Sequence, residues 1–299
     1  MSKIRYYIDS FRVRTLPLSA SGIIVGSIIA MKDGYFSMST FYSAILTAVS
    51  LQVLSNVAND MGDAAKGVDN ENRLGPIRPL QAGHLTVKEY RIVLIVFLLL
   101  SVVFGLALIF SAFHSFLSLS AITMLVIGGL AIVASIKYTV GKRNYGYHGY
   151  GDVFVFLFFG PVGVLGSYFL MTFTLKWLLL LPAAAFGFLT TAVINLNNMR
   201  DIGNDGWCGK NTIPVRIGLP GAKVYHYLLI ILAWICLSVY SIVEYEKITG
   251  WFYVLFLPLF AGHIRQVYYY GGWILDEQMV IFCLGIFSLA LSFSISQLL

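Results

Sequence analysis

Asn56, Asn59, Asp60, Asp63 and Asp69 fall within one stretch, NVANDMGDAAKGVDN (residues 56–70), directly behind a long apolar run. Only 14 of the 299 residues are acidic, so this gathering of aspartates needs a reason. A second stretch answers it: Asn195, Asn198, Asp201 and Asp205 close another apolar run, with Asp201 141 positions after Asp60. On a helix, residues three or four apart share a face. Asn56, Asp60 and Asp63 are spaced i, i+4, i+7, and Asn198, Asp201 and Asp205 i, i+3, i+7. Each set predicts a polar stripe near the end of its helix, and two facing stripes would form a negative, oxygen-lined mouth. The plainer reading, solvated loop acids, does not account for the repeated spacing, and acids near a membrane are costly and usually functional. Such a cluster needs a counter-charge. No His or Cys ligand set accompanies it, which argues against zinc. Hard oxygen donors suit Mg²⁺, which commonly bridges one or two carboxylates to substrate phosphates. Lys66, Arg73, Arg78, Arg200, Lys210 and Arg216 are mixed with the acids. Metal ions with Lys and Arg around a cavity fit a diphosphate. A purely topological role for these cations does not explain the mixing.

The elements that must carry these residues follow from composition. Hydrophobic residues make up 58% of the chain and charged residues 11%, against about 25% charged in a soluble domain. A membrane-spanning helix needs roughly 20 apolar residues. Nine such runs occur, at approximately 15–32, 41–58, 91–112, 115–137, 153–171, 177–197, 222–243, 250–267 and 279–298. The runs are continuous and not alternating, which excludes a barrel; backbone in lipid must satisfy its own hydrogen bonds, so they are helices. The expected fold is an all-α membrane protein, nine transmembrane helices in one bundle and a single domain over residues 1–299. The matched acid sets suggest two related four-helix halves plus one helix. The basic N-terminus (Lys3, Arg5, Arg12, Arg14) is not expected to be a signal peptide, because its apolar run is long enough to span and eight more follow. Cys236 and Cys283 lie inside runs and Cys208 in a loop, with no metal spacing.

The net charge of +6 could indicate nucleic acid, but its distribution points elsewhere. Seventeen of the 20 Lys and Arg fall on one side of the alternating topology; Lys32, Lys176 and Lys247 fall on the other. This positive-inside asymmetry places the N-terminus in the cytoplasm and the C-terminus outside. The polar loops, about 59–90, 138–152 and 198–221, then share the cytoplasmic face. A diphosphate entering an oily bundle implies an apolar tail on the same molecule, as in a prenyl diphosphate. Loss of diphosphate would leave an allylic cation that aromatic faces can stabilise. A cation-coupled transporter is the rival from another class, but its site would be expected near the midplane and not at the helix ends.

The motifs NDMGDAAKGVD and NNMRDIGNDGWCGKNTIPVRIG resemble the two aspartate-rich signatures of the UbiA superfamily of intramembrane prenyltransferases. The resemblance covers essentially the whole chain. The usual third Asp of the first motif is replaced here by Gly67, with Asp69 two positions on. That variant, followed by NRLGPIRPLQAGHLT, and the segment KYTVGKRNYGYHGYGDVFVFLFFGPVGVLGSYF resemble the branch that prenylates 1,4-dihydroxy-2-naphthoate. The second motif has Gly203 where some relatives carry a further acid. The resemblance implies that Asn59, Asp60, Asp63 and Asp69 hold one Mg²⁺ and that Asn198, Asp201 and Asp205 hold a second. It makes Lys66, Arg78, Lys142, Arg200 and Lys210 diphosphate candidates; Arg73, Arg216, Asn56 and Asn195 are further substrate-binding candidates from their place beside the acids. Tyr138 and Lys142 match a YxxxK element, Tyr138 near the reacting centre. Asp152 is either a site residue or a cap at a helix start. His84 and His148 are expected to be solvated loop residues. The implied partners are a polyprenyl diphosphate, 1,4-dihydroxy-2-naphthoate and the lipid of the inner membrane, with no nucleic acid and no obligate protein partner. The implied products are demethylmenaquinone, diphosphate and CO₂. Acceptors such as 4-hydroxybenzoate or homogentisate are the alternatives within this chemistry.

Overall fold

A computed structural model describes residues 3–141, 144–245 and 247–299. Among the described residues, nine helical segments are long and apolar enough to cross a membrane. In chain order the elements are α1 (Lys3–Phe11), α2 (Leu16–Lys32), α3 (Met38–Ala65), α4 (Val87–Phe113) and α5 (Leu119–Lys137). They continue as α6 (Gly151–Thr172), α7 (Trp177–Arg200), α8 (Ile202–Trp207), α9 (Ile213–Glu244), α10 (Ile248–Tyr269) and α11 (Ile274–Leu298). The helices start where short polar side chains can cap them. Ser37 and Ser118 accept from backbone N–H groups of the first turns of α3 and α5, and Thr86 forms a reciprocal capping box with Glu89 at α4.

The bundle has an inside and a lipid-facing outside. α7 and α11 form the centre, each with 61% of its most apolar stretch buried, while α4 buries only 11% and turns residues such as Leu99 and Val103 outward. α2, α6 and α7 come close through small residues. A Cβ at Gly26 would lie 2.1 Å from the Val164 carbonyl oxygen, and one at Gly160 2.3 Å from that of Ala183. Close backbone approach through Gly is how membrane helices gain packing energy without a hydrophobic driving force. Inside α6, Pro161 lacks an N–H, and the chain accommodates it with a π-turn over Phe158–Val162.

Three boundaries differ from the apolar runs in ways that matter for the site. α3 continues to Ala65, because nothing in NDMGDAA breaks it before Gly67 (φ 71°), so Asp60 and Asp63 are helical. α9 begins at Ile213 and bends at Gly218 (φ 72°, ψ 167°) before the long apolar part. The N-terminal residues form a separate helix, α1, whose Tyr6, Tyr7 and Phe11 pack with Val53, Val57, Leu85 and Tyr90 of α3, the following loop and α4.

Candidate active site

The end of α3 and the loop after it supply the first acidic group. Gly62 lets the segment after α5 come against α3, since a Cβ there would meet Thr139 Oγ1 at 2.4 Å; Thr139 Oγ1 donates to the Ala58 carbonyl at 3.1 Å. Asp60 is fully buried. It forms an ion pair with Arg12, lies 3.4 Å from Arg78 Nε, and accepts from Tyr90 Oη at 3.1 Å. Asp63 accepts from Tyr147 Oη at 2.7 Å and lies 3.5 Å from Lys210 Nζ. Asn56 faces the same side and donates to the Phe11 carbonyl at 2.9 Å, which ties α1 to the cluster.

The second group departs from a single helical stripe. Asn198 is on α7 and Asp205 on α8, and the chain breaks between them at Asp201 (φ −99°, ψ 14°). The short α8 turns Asp205 back toward the first motif, where Lys210 Nζ lies 3.6 Å from it. Asp201 is gripped by Arg200 (Nη2 to Oδ2 2.6 Å, Nε to Oδ1 3.2 Å) and accepts from the Leu74 backbone N–H at 3.2 Å. Two cations join the halves: Lys210 lies between Asp63 and Asp205, and Arg73 between Asp69 (3.2 Å) and Asp201 (3.6 Å). The two polar loops therefore meet as one cluster.

Four oxygens in this cluster are buried without a hydrogen-bond partner: Asn59 Oδ1, Asp69 Oδ2, Asn198 Oδ1 and Asp205 Oδ2. Buried unpaired acceptors are costly, and four of them drawn from both motifs are groups that a cation would satisfy. All are hard oxygens, and His and Cys are absent from the set, which fits Mg²⁺. Among the described residues no group of three or more His, Cys, Asp or Glu forms a self-sufficient metal cage. The mixed amide and carboxylate donors instead match an ion whose coordination is completed by substrate phosphate and water. The electrostatics follow the geometry. Burial pushes the Asp205 carboxyl up to about 6, with Lys210 restraining the shift, and burial also raises Asp69. Burial would raise Asp201 too, but the hydrogen bonds and charge of Arg200 hold it below the usual carboxylate value. Burial would pull the Lys210 ammonium down, and Asp63 and Asp205 more than offset it, so Lys210 stays charged.

Beside the cluster lies a cavity of about 350 Å³. Arg12, Asn56, Asn59, Arg78 and Lys210 line its polar end, and residues such as Leu108, Ile127, Phe158, Val162 and Leu170 its apolar walls. Tyr138 contributes to the wall at the C-terminus of α5. Its ring meets Tyr145 edge-on at 5.5 Å, and Tyr145 stacks on Phe154 at 4.0 Å, so aromatic faces run along the cavity from the polar end. Gly151 permits this, since a Cβ there would press on the Tyr138 ring at 2.9 Å.

Other expected site residues are placed elsewhere. Arg200 is 1% exposed and spends its donors on Asp201, Asn197 and Asp276, outside the cavity lining. Arg216 donates to the backbone carbonyls of His148 (2.7 Å) and Asn211 (3.2 Å), fastening the loop after α8 to the loop before α6. Lys66 is exposed with its ammonium 3.8 Å above the Tyr147 ring. Asn195 donates to the Ala222 carbonyl between α7 and α9. Asp152 accepts from Tyr225 Oη at 3.1 Å, does not line the cavity, and makes no capping hydrogen bond at the start of α6. Lys142 lies outside the described residues. His84 and His148 are exposed, with His84 stacked on Tyr6 at 4.1 Å. Arg12, Tyr90, Tyr147, Arg14 and Asp276 join the cluster without having stood out in the sequence.

The sequence model of the UbiA prenyltransferase family matches residues 19–272. The chain is 42% identical over 267 residues to the 1,4-dihydroxy-2-naphthoate octaprenyltransferase of Escherichia coli K12, covering 89% of this chain and 86% of that protein. It is 40% identical over 269 residues to the protein of the same name from Haemophilus influenzae, with the same coverage. Among solved structures it resembles a UbiA homologue from Aeropyrum pernix (TM-score 0.57, 16% identity, 90% of this chain and 96% of that one). It also resembles one from Archaeoglobus fulgidus bound to GPP and Mg²⁺ (TM-score 0.55, 16% identity, 95% and 99%).

Proposed function

The chain belongs to the UbiA prenyltransferase family, and from that premise we propose that it transfers a polyprenyl group from its diphosphate to 1,4-dihydroxy-2-naphthoate, releasing diphosphate and CO₂ and yielding demethylmenaquinone in its reduced, quinol form. One observation carries the reading: two acidic motifs leave four buried oxygens unpartnered, and their cluster adjoins an apolar, aromatic-lined cavity through Asn59 and Lys210, which line it. That arrangement suits a molecule with a phosphorylated head and a hydrocarbon tail.

Asn59, Asp63 and Asp69 would hold one Mg²⁺ from the first motif, with Asp60 behind them, and Asn198, Asp201 and Asp205 a second from the other. When bound, Mg²⁺ supplies positive charge against the departing diphosphate. The chain's own residues do the rest. Lys210 and Arg78 line the cavity and present positive charge to the phosphate oxygens. Arg12 and Arg78 flank Asp60, so two guanidiniums share one carboxylate and leave net positive charge at the cavity's edge. Tyr138, Tyr145 and Phe154 offer ring faces to an allylic cation and exclude water from it. The apolar walls hold the chain extended away from the head, which fixes C1 near the acceptor ring.

The excess of Lys and Arg on the loops around the cluster supports placing it on the cytoplasmic side of the inner membrane. The test of the reading is direct: purified protein with Mg²⁺, a panel of prenyl diphosphates and a panel of aromatic acids should release diphosphate only with a productive pair. Diphosphate release with no prenylated aromatic product would overturn it.

The raised Asp205 carboxyl makes the reaction pH-sensitive in a defined direction. Its proton must leave before the oxygen can take a metal ion. With a value of about 6, it is largely ionised above that pH and largely protonated below. Half-saturating Mg²⁺ is therefore expected to be flat near pH 7.5 and to rise about tenfold per unit of acidification below about pH 6. Asp205→Asn should lack that rise in whatever metal binding remains.

A further inference from the structure

Arg200 is the buried hub of the second motif, and its guanidinium is almost saturated by protein. Nε and Nη2 donate to the two oxygens of Asp201, Nη2 also donates to Asn197 Oδ1 at 2.9 Å, and Nη1 donates to Asp276 Oδ1 at 2.5 Å. Gly75 lies over it: a Cβ there would sit 2.5 Å from Arg200 Nη2 and 2.7 Å from Arg73 Nη2. The next backbone N–H upstream, that of Leu74, donates to Asp201. Asp276 is in the first turn of α11, far along the chain, and takes a second cation, Arg14, at 2.8 Å.

We propose that Asp276 is a positioning residue for the second motif: by sharing Arg200 with Asp201, it keeps the Asp201 carboxylate available to a divalent cation. The proposal rests on the reading of this cluster as a metal–diphosphate site. An arginine facing a single carboxylate is drawn fully onto it and competes with any metal for its oxygens. Arg200 donates to both Asp201 oxygens, and Asp276, on Nη1, draws off part of its charge and fixes the guanidinium plane from the opposite side. It also balances the charge, since Arg14 and Arg200 are matched by Asp201 and Asp276. Partners of metal ligands commonly influence affinity about 10–100-fold. An ordinary acid in a first helical turn would serve only the helix terminus, and its loss would leave the metal site untouched.

The two roles differ in a measurable way. Without Asp276 the cluster is more positive and Asp201 is held harder, so a divalent cation binds less well while an anion does not. The experiment titrates the purified full chain in detergent with Mn²⁺ alone, read by electron paramagnetic resonance, and separately with inorganic pyrophosphate without metal, read by calorimetry. For Asp276→Asn, Mn²⁺ affinity is expected to fall about tenfold or more, with pyrophosphate affinity equal to or above that of the wild type. Asp276→Glu should stay within about threefold of wild type for Mn²⁺, and Asn197→Asp in the Asp276→Asn background should recover most of the loss by returning a carboxylate to Arg200. Wild-type protein that binds no Mn²⁺ overturns the metal reading and this inference together. Wild-type binding with unchanged Mn²⁺ affinity in Asp276→Asn overturns this inference alone, as does parallel loss of Mn²⁺ and pyrophosphate. Should Asp276→Asn fail to fold, Asp276→Glu decides: a loss of Mn²⁺ affinity beyond about tenfold counts against the proposal.

Discussion

Asp205→Asn protein will fold as the wild type does and lose at least about 100-fold in turnover, whereas Asp60→Asn will lose turnover and stability together. The two aspartates belong to different motifs and have very different surroundings. Asp205 has one oxygen 3.6 Å from Lys210 and the other with no partner. Replacing it removes a charged donor that nothing in the fold requires, and Lys210 keeps Asp63. Asp60 is fully buried between Arg12, Arg78 and Tyr90. Its neutral replacement leaves two guanidiniums facing each other without compensation, and breaking a buried ion pair on one side costs about 3–5 kcal/mol. The check is thermal unfolding in detergent beside product formation. Asp205→Asn should unfold within a degree or two of wild type, Asp60→Asn clearly earlier, and both should be inactive. Substantial turnover by Asp205→Asn would remove it from the metal-binding set. An Asp60→Asn protein as stable as wild type would mean that Arg12 and Arg78 have anionic partners other than Asp60.

The features that were legible in the sequence are those with a local pattern. Asp60 and Asp63 could be placed on one face because α3 runs through them with a constant period. The spanning helices could be placed because each is continuous and apolar over the thickness of a bilayer. The second motif could not be placed as well, because the helix breaks at Asp201, and Met-Arg-Asp-Ile-Gly carries no proline to announce the break. The contacts of Arg12 and Arg14 were invisible for a different reason. Arg12 reaches Asp60 across 48 positions and Arg14 reaches Asp276 across 262, and no local spacing encodes such closures. Arg12 also adopts a left-handed conformation (φ 53°) that non-glycine residues seldom take, and it does so where α1 turns into the bundle and the side chain enters the site. Counted as topology, it is one more cation of the basic N-terminus; in the structure it pairs with Asp60 of the first motif. Arg216 shows the converse. Its position beside the second motif fitted a phosphate ligand, yet its guanidinium holds two loop carbonyls together. Gly75, in the GPIRP segment, gains its meaning only once Arg200 is seen beneath it.

Carboxyl-labelled 1,4-dihydroxy-2-naphthoate is expected to give prenylated product and labelled CO₂ in equal amounts, while 4-hydroxybenzoate gives at least about tenfold lower kcat/KM. The reasoning begins with the cavity. Its polar end adjoins the acid cluster and its walls are aliphatic and aromatic, and reaction requires the electron-rich carbon of the acceptor ring to face C1 of the prenyl chain. A 1,4-dihydroxylated ring is rich enough in electrons to attack once diphosphate has begun to leave. The carbon attacked already carries the carboxylate. Forming the new C–C bond there interrupts the ring's aromaticity, and breaking the bond to the carboxyl carbon returns the electron pair to the ring as CO₂ departs. Loss of a gas restores aromaticity and makes the step irreversible. The second, fused ring supplies apolar area that a benzoate lacks, and one or two missing contacts in an apolar pocket cost about 1–3 kcal/mol of discrimination. Relatives at 40–42% identity carry the naphthoate name, which supports the same acceptor. Label retained on the prenylated product would show attack at another carbon. A clear preference for 4-hydroxybenzoate would move the chain to another acceptor within its family while leaving the metal cluster and the prenyl cavity as they stand.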